Sequence, residues 1–198
     1  MSFESVGGVD ASRRVRDGED FDVVVLASEA IDRLCAGGAL LPETKTDVVR
    51  STVAIAVRAG ARAPSIETES ELREALLAAR GIGYSTGPSG LAVRRLFEHW
   101  GLLAALGERL VQAPAGTPVA DLIAAGRVEL GFQQLSELAD VEGVDVLGPM
   151  PAGLEITTTF SAAQCATSAQ AGPVRALLDF LRAPDVGEIK RRHHMLEA

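Results

Sequence analysis

The chain has 198 residues, 47% of them hydrophobic and 4% aromatic, enough for one large domain or two small lobes with a real core. A formal net charge of −8 argues against nucleic-acid binding, which needs a basic face. No apolar run reaches the roughly 18 residues that span a bilayer, and the first residues lack the pattern of a signal peptide, so the sequence as given predicts a cytoplasmic protein.

Short apolar runs of β-branched type alternate with amphipathic segments along the whole chain. In chain order, we predict a strand over 21–26, a helix over 29–36, a strand over 52–57, a helix from Thr68 or Ser70 to 80, a strand over 82–85, a helix over 88–101, a strand over 110–112, a helix over 117–125, a strand over 128–132, a helical turn over 136–139, a strand over 144–148, an extended segment over 154–163, and helices over 173–181 and 184–196. This alternation predicts an α/β fold with mainly parallel sheets.

Two extended stretches, 48–58 and 149–163, are predicted to carry the chain from one α/β block to another. A chain that leaves a lobe and later returns to it must cross twice. The predicted parts are lobe I, 1–50 with 155–198, lobe II, 58–148, and the hinge crossings 51–57 and 149–154. Open α/β sheets bind ligands at the carboxyl ends of their strands, so we expect the ligand in a cleft between the lobes.

The segment 83–95 is the most informative about function. Ser85 and Thr86 follow a predicted strand, and Ser89 lies where a helix begins after Pro88. The N–H groups of a first helical turn have no partner within the helix, and the helix dipole is positive there. Together with the hydroxyl groups they favour an anion without any lysine or arginine. The alternative is that Ser85 or Thr86 only caps the helix.

No motif with the spacing of a known catalytic or metal-binding site occurs in the sequence. Cys35 and Cys165 are isolated, and we interpret both as buried or inert. His193 and His194 are typical of a polar tail rather than of a zinc site. We therefore predict no catalytic residue, no metal ion and no cofactor.

An acid–base enzyme is an alternative based on Asp22 and Glu137, the nearest acidic candidates. Such chemistry needs a group with a shifted pKa in a pocket. Asp22 precedes a buried strand, where capping or pairing is the competing interpretation, and His99 beside Trp100 is better explained by packing. We predict that the chain is not an enzyme.

Several blocks, in order along the chain, resemble the molybdate-type solute-binding proteins. They are Gly18 to Leu26, Ala30 to Gly38, Thr52 to Val57, Gly83 to Leu91 and Leu130 to Glu137. Each motif alone is weak, and their order and spacing carry the resemblance over nearly the whole chain. It implies the type II periplasmic-binding-protein fold, in which two α/β lobes capture a small anionic solute as the binding component of an ABC-type transporter.

The resemblance also implies which residues contact the ligand. With the hydroxyls derived above, the predicted ligand-binding residues are Ser5, Gly7, Gly8, Ser85, Thr86, Ser89, Gly116, Thr117 and Gln134. The competing interpretations are a tight turn for Gly7 and Gly8 and a helix cap for Gln134. Gln134 stands where the family has a tyrosine, so sulfate, phosphate or a small carboxylate are alternatives to molybdate.

The resemblance begins at what matches the family's second strand, so we expect the first strand and helix to be missing ahead of Met1. That strand lies inside the first lobe's sheet in the family, and we expect a first lobe that is less ordered or completed by a homodimer. The family implies a periplasmic location and a permease partner. The alternative function is a cytosolic ligand-sensing domain similar to the effector domains of LysR-type regulators.

Overall fold

The computed structural model describes all 198 residues and divides into two compact units. Unit 1 comprises Met1–Ser51 and Thr158–Ala198, and unit 2 comprises Thr52–Thr157. The roles of these parts as hinged lobes stay a prediction. None of the helices combines the length and the apolar composition that a membrane crossing requires.

Helices and strands alternate for most of the chain. In chain order they are α1 (Gly8–Arg16), β1 (Val23–Ala27), α2 (Ser28–Ala36), β2 (Thr46–Arg58), α3 (Glu69–Ala78), β3 (Ile82–Tyr84), α4 (Pro88–His99), α5 (Leu103–Leu106), β4 (Leu110–Gln112), α6 (Val119–Ala124), β5 (Leu130–Gln134), α7 (Leu135–Leu138), β6 (Val144–Pro149), β7 (Thr157–Gln164), α8 (Ala171–Arg182), α9 (Gly187–Arg192) and β8 (Leu196–Glu197). Short 3-10 turns lie at Pro42–Thr44, Gly107–Arg109 and Pro184–Val186.

The sheet of unit 1 has the strand order β1-β7-β2, and β8 pairs with β2. β1 and β7 are antiparallel, with Val23 opposite Gln164. The sheet is covered on both faces, because Val24 and Leu26 pack in a cluster with α2, whereas Val23 packs against a cluster that contains Val174 of α8. β1 is therefore a terminal strand with an apolar side chain on each face.

The sheet of unit 2 has the order β2-β5-β3-β4, and β6 also pairs with β2. β3 runs parallel to both β4 and β5, so that Tyr84 lies level with Gln112 and Phe132. One face packs against α3 and α4 through residues such as Leu72 and Phe97. The other face packs against α6, and a Cβ atom on Gly131 would overlap Cδ1 of Ile123, so only glycine lets this helix lie so close.

The predicted α/β fold is confirmed, whereas the strand directions are mixed rather than mainly parallel. β2 runs antiparallel to β5, β6 and β8, and β7 runs antiparallel to β1. The physical reason is that the extended segments predicted as connections, 48–58 and 149–163, become strands of the sheets. They contain most of β2 and β7, which run antiparallel to the strands named above.

Two boundaries differ most from the prediction. β2 begins at Thr46 rather than at residue 52, and the last predicted helix ends at Arg192 and is followed by β8. His194 adopts φ 58°, which a continuing helix cannot accommodate. At Thr68 the predicted start of α3 is correct, since its hydroxyl accepts from the Glu71 N–H in a capping box.

Candidate functional site

Three parallel strands of unit 2 end at one edge of its sheet. Ser85 follows β3, and Ala113 follows β4 with its N–H bonded to the Tyr84 carbonyl at 2.9 Å. Gln134 is the last residue of β5. Because β3, β4 and β5 are in register, the loops after them meet at the same carboxyl edge.

The loop between β3 and α4 packs tightly against the start of that helix. The Oγ atoms of Ser85 and Ser89 lie 3.4 Å apart. Ser89 is buried, and Thr86 is half-buried beside it in the loop. A Cβ atom on Gly90 would overlap the Ser85 carbonyl oxygen, so glycine is required for this approach. The structure thus brings three of the predicted hydroxyl residues together at one helix start.

The capping alternative for Ser85 and Thr86 is wrong. The N-cap of α4 is Gly87, in extended conformation, and no side chain caps the helix. Pro88 at the first helical position has no N–H, and the first turn carries no acidic residue. The N–H groups of Ser89 and Gly90 therefore lie at a positive helix end that no carboxylate or capping oxygen neutralises.

The loop after β4 turns sharply before α6. The Thr117 N–H donates to the Pro114 carbonyl at 2.9 Å, and Gly116 adopts φ 78°, which favours glycine. Gly116 is exposed and Thr117 half-buried. Both predicted residues thus lie in the loop that leads from the carboxyl edge into α6.

Two buried glutamines end β5, and the first of them was not predicted. The Gln133 Oε1 accepts from the Val119 N–H at 2.7 Å, at the start of α6, and its Nε2 donates to Glu137. Side chains alternate along a strand, so Gln134 lies on the opposite face, the one covered by α4. Gln134 occupies the N-cap position of α7, as the capping alternative predicted, but its side chain makes no capping hydrogen bond.

Glu137, in α7 directly after β5, has a pKa that is shifted from its ordinary value. Removal of water by neighbouring groups raises the pKa of Glu137, and the hydrogen bond from Gln133 acts in the opposite direction. The residue as a whole is exposed to solvent, whereas its hydrogen bond with Gln133 is partly buried.

The remaining predicted ligand residues belong to unit 1. Ser5, Gly7 and Gly8 are exposed, and Gly7 is the N-cap of α1 with φ −59°, a value that any residue can adopt, so no left-handed conformation requires glycine there. The first turn of α1 contains Asp10, whose carboxylate is paired with Arg13 at 2.5 Å. An acidic group at this position makes the start of α1 a poorer anion contact than that of α4.

The other candidate groups have structural roles. Asp22 Oδ1 accepts a 2.5 Å hydrogen bond from Ser168, which supports the pairing interpretation. Burial raises the pKa of the Cys165 thiol to about 11, and Cys35 is half-buried, so neither is a reactive thiolate. No three His, Cys, Asp or Glu side chains are grouped as metal ligands are.

Solved structures share this architecture. The periplasmic molybdate-binding protein of Azotobacter vinelandii superposes with a TM-score of 0.79 at 20% identity, covering 98% of this chain and 85% of that one. The sulfate-binding protein SubI of Mycobacterium tuberculosis gives a TM-score of 0.74 at 18% identity, over 96% and 73%. The fold is thus that of the type II periplasmic binding proteins.

The sequence comparisons define the family. The profile of the bacterial extracellular solute-binding proteins matches residues 1–196, and the chain belongs to this family. An aconitate isomerase of a Pseudomonas species is 34% identical over 176 residues, which cover 88% of this chain and 67% of that protein.

Proposed function

We propose that this chain binds a small anion at the carboxyl edge of unit 2, with the start of α4 as its principal contact. The observation that carries the proposal is the uncapped first turn of α4, where the Ser85 and Ser89 hydroxyls lie 3.4 Å apart and Thr86 belongs to the same loop. Backbone N–H and hydroxyl donors solvate an anion without a full counter-charge. Because the net charge is −8, the chain as a whole does not attract anions electrostatically, so local N–H and hydroxyl donors have to supply the affinity for the anion.

Gly116, Thr117 and Gln134 are proposed as further contacts, because their loops and strand end at the same edge. Ser5, Gly7 and Gly8 are proposed as a secondary set on unit 1, weakened by Asp10 in the adjoining helical turn. The ligand class that fits is a tetrahedral oxyanion or a small carboxylate. The molybdate- and sulfate-binding proteins of the same fold, and the aconitate isomerase at higher identity, support both classes.

We also propose that the chain works outside the cytoplasm, as the substrate-binding component of an ABC-type transporter. The family description, an extracellular solute-binding protein, supports this role. Co-purification of the full-length protein with a membrane permease, lost when ligand is withheld, is the corresponding test.

A ligand screen tests the binding proposal. Thermal unfolding is followed with molybdate, sulfate, phosphate, citrate and both isomers of aconitate, each against chloride at matched ionic strength. A ligand that binds only the folded state at 100 times its Kd adds about 2.7 kcal/mol to the free energy of unfolding. At least one of these anions should raise Tm by several degrees. The proposal fails if none does, and isothermal titration calorimetry confirms a positive result.

A second candidate is isomerisation of an unsaturated carboxylic acid, which the aconitate isomerase relative favours. Shifting a double bond requires a group that removes a proton from one carbon while a proton is returned to another. Glu137, with its raised pKa and its hydrogen bond from Gln133, is the carboxylate at this edge suited to that role. The similarity to the aconitate isomerase thus argues against the prediction that the chain is not an enzyme.

Nuclear magnetic resonance of cis- and trans-aconitate incubated with the protein separates the two candidates. Interconversion that is lost in Glu137→Gln supports the isomerase. Binding of aconitate without interconversion supports solute binding alone. If neither binding nor turnover occurs with aconitate, an inorganic oxyanion is the ligand to establish.

A further inference from the structure

Arg14, near the end of α1, is enclosed by two carboxylates and an aromatic ring. Its Nη1 and Nη2 atoms donate to the two carboxylate oxygens of Glu4 at 2.6 and 3.0 Å. Its Nε atom donates to Oε2 of Glu19 at 2.7 Å, and Nη2 also contacts Oε1 of that residue. The guanidinium carbon lies 4.9 Å from the centre of the Phe21 ring. With these contacts, 17% of the Arg14 side chain is exposed.

Glu19 and Phe21 fix the guanidinium from the turn that follows α1. The Glu19 N–H donates to the Arg14 carbonyl at 3.1 Å, and the Phe21 N–H donates to the Glu19 carbonyl at 2.9 Å. Phe21 also packs against the apolar cluster that contains residues of β1 and α2. Since these groups set its orientation, Arg14 presents a pre-organised pair of donors to Glu4.

Glu4 belongs to a segment, residues 1–7, that is exposed and forms neither helix nor strand. The hydrogen bonds and ion pairs that join the part before Gly7 to the rest of unit 1 are those between Glu4 and Arg14. Ser5, a proposed ligand contact, is the next residue, and Gly7 is the N-cap of α1. The position of Ser5 therefore depends on the pair that Glu4 makes with Arg14.

Attraction of an anion by charge does not explain this cluster. One guanidinium lies between two carboxylates, so Arg14, Glu4 and Glu19 together carry a net charge of −1. The hydrogen bonds from Arg14 lower the pKa of both Glu4 and Glu19, so both carboxylates are ionised at neutral pH. A cluster of this sign repels anions, and any contribution that it makes to binding has to be one of geometry.

We propose that Arg14 is a positioning residue for the unit 1 contacts of the anion. Through Glu4 it holds Ser5 and Gly7 in the chain that leads into the first turn of α1, where no side chain caps the N–H groups. This inference rests on the proposed anion-binding function and adds to it the residue that keeps the exposed contact segment in place. A bidentate pair suits this role, because two parallel hydrogen bonds fix orientation as well as distance.

Two carboxylate variants separate positioning from charge. Calorimetry measures the affinity for sulfate and for cis-aconitate, one anion of each proposed class, in wild type, Glu4→Ala and Asp10→Ala. Each variant removes one negative charge close to the start of α1, and electrostatics alone would raise the affinity in both. Positioning predicts roughly two- to five-fold weaker binding in Glu4→Ala, the effect of losing a well-oriented surface ion pair. Asp10→Ala should bind at least as tightly as wild type, and both variants should resist denaturant like the wild type.

Nitrogen-15 relaxation tests the segment itself without any ligand. The order parameters of the Ser5 and Gly7 amides should be about 0.85 in wild type and below about 0.6 in Glu4→Ala. Arg14→Lys keeps the charge but lacks the planar fork, so it should give the same loss as Glu4→Ala. Flexible Ser5 and Gly7 amides in the wild type overturn the inference, and so do rigid ones in Glu4→Ala.

Amide shifts in the same spectra distinguish failure of this inference from failure of the proposed function. With sulfate or cis-aconitate, the Ser89 amide should shift in wild type and in Glu4→Ala, whereas the Ser5 and Gly7 amides should shift in wild type alone. If none of the three shifts in the wild type, the proposed function fails. If Ser89 shifts without Ser5 and Gly7, or if Glu4→Ala binds as tightly as the wild type, the site at α4 stands and the role of Arg14 is wrong.

Discussion

The carbonyl group of Ser85 lies directly against Cα of Gly90, five residues further along the chain. There is no room for a Cβ atom between them. This contact folds the loop after β3 back onto the first turn of α4 and places the Ser85 and Ser89 hydroxyls 3.4 Å apart. The geometry of the proposed anion site therefore depends on the absence of a side chain at Gly90.

Gly90→Ala is predicted to destabilise unit 2 and to abolish the anion response. The added methyl group must displace the Ser85 backbone, and overpacking of this kind costs about 1–3 kcal/mol. Denaturant unfolding gives the change in free energy, and the thermal shift with the best anion gives the change in binding. Gly172→Ala is the control, because its Cβ would lie in open space in the first turn of α8. A Gly90→Ala protein with wild-type stability and binding would contradict the prediction.

Ser89→Asp is predicted to remove anion binding through charge. Ser89 is the second residue of α4, and a carboxylate there occupies the N–H groups and repels the ligand. Ser70→Asp is a matched control, since Ser70 is the second residue of α3, far along the chain from the proposed site. It should leave the anion response unchanged.

Ser89→Ala provides a milder version that keeps the site neutral. Losing one hydroxyl hydrogen bond, worth about 1 kcal/mol, should weaken the affinity roughly five-fold in calorimetry. Equal affinity in wild type, Ser89→Ala and Ser89→Asp would show that the anion binds elsewhere.

The start of α4 was predictable because its signals are local: a strand end, hydroxyl residues, a proline at the first helical position. What the sequence did not show is that Gly87, rather than a hydroxyl residue, is the N-cap. The close approach of Ser85 to Gly90 determines where the N-cap lies, and that approach depends on the packing of α4 against β3 and β5. The family resemblance supplied the fold and the order of the blocks.

Non-local pairing explains the errors. β8 forms because Leu196 pairs with Arg50 of β2, which lies far earlier in the chain, and no local signal marks a two-residue strand. Most of the first half of β2 was predicted as part of the extended stretch 48–58 but not as a strand, because Asp47 and Arg50 interrupt its apolar pattern. Gln133 was missed for a similar reason: Glu137 lies one helical turn away in sequence, but the Val119 N–H is a contact made only in the folded unit.

Gln133→Leu is predicted to destabilise unit 2 by about 1–3 kcal/mol, because the buried Val119 N–H loses its acceptor. The same change removes the hydrogen bond that lowers the pKa of Glu137, so this pKa should rise further. Denaturant unfolding and carbon-13 detected titration of the carboxyl group measure the two effects. Gln112→Leu, at the exposed end of β4, is the control and should change neither. An unchanged pKa for Glu137 in Gln133→Leu would contradict the proposed contact.

Glu137 should make the protein less stable as pH rises. Its folded-state pKa is raised above the ordinary value of 4.5 because burial disfavours the charged carboxylate. Between the two values the folded protein holds a proton that the unfolded chain has released. The stability associated with this proton is complete below about 4.5 and is lost as pH rises through the folded-state value.

Comparing wild type with Glu137→Gln isolates this contribution, since the variant does not titrate at 137. As pH rises from 4.5, the free energy of unfolding of the wild type should fall relative to that of Glu137→Gln. Glu129→Gln is the control of opposite sign: the Arg80 backbone N–H lowers the pKa of Glu129, so its stabilising contribution is present above 4.5 and is lost as pH falls. A flat difference for Glu137→Gln across this range would mean that water reaches the carboxyl group freely. The residue would then be unsuited to hold the proton that the isomerase candidate requires.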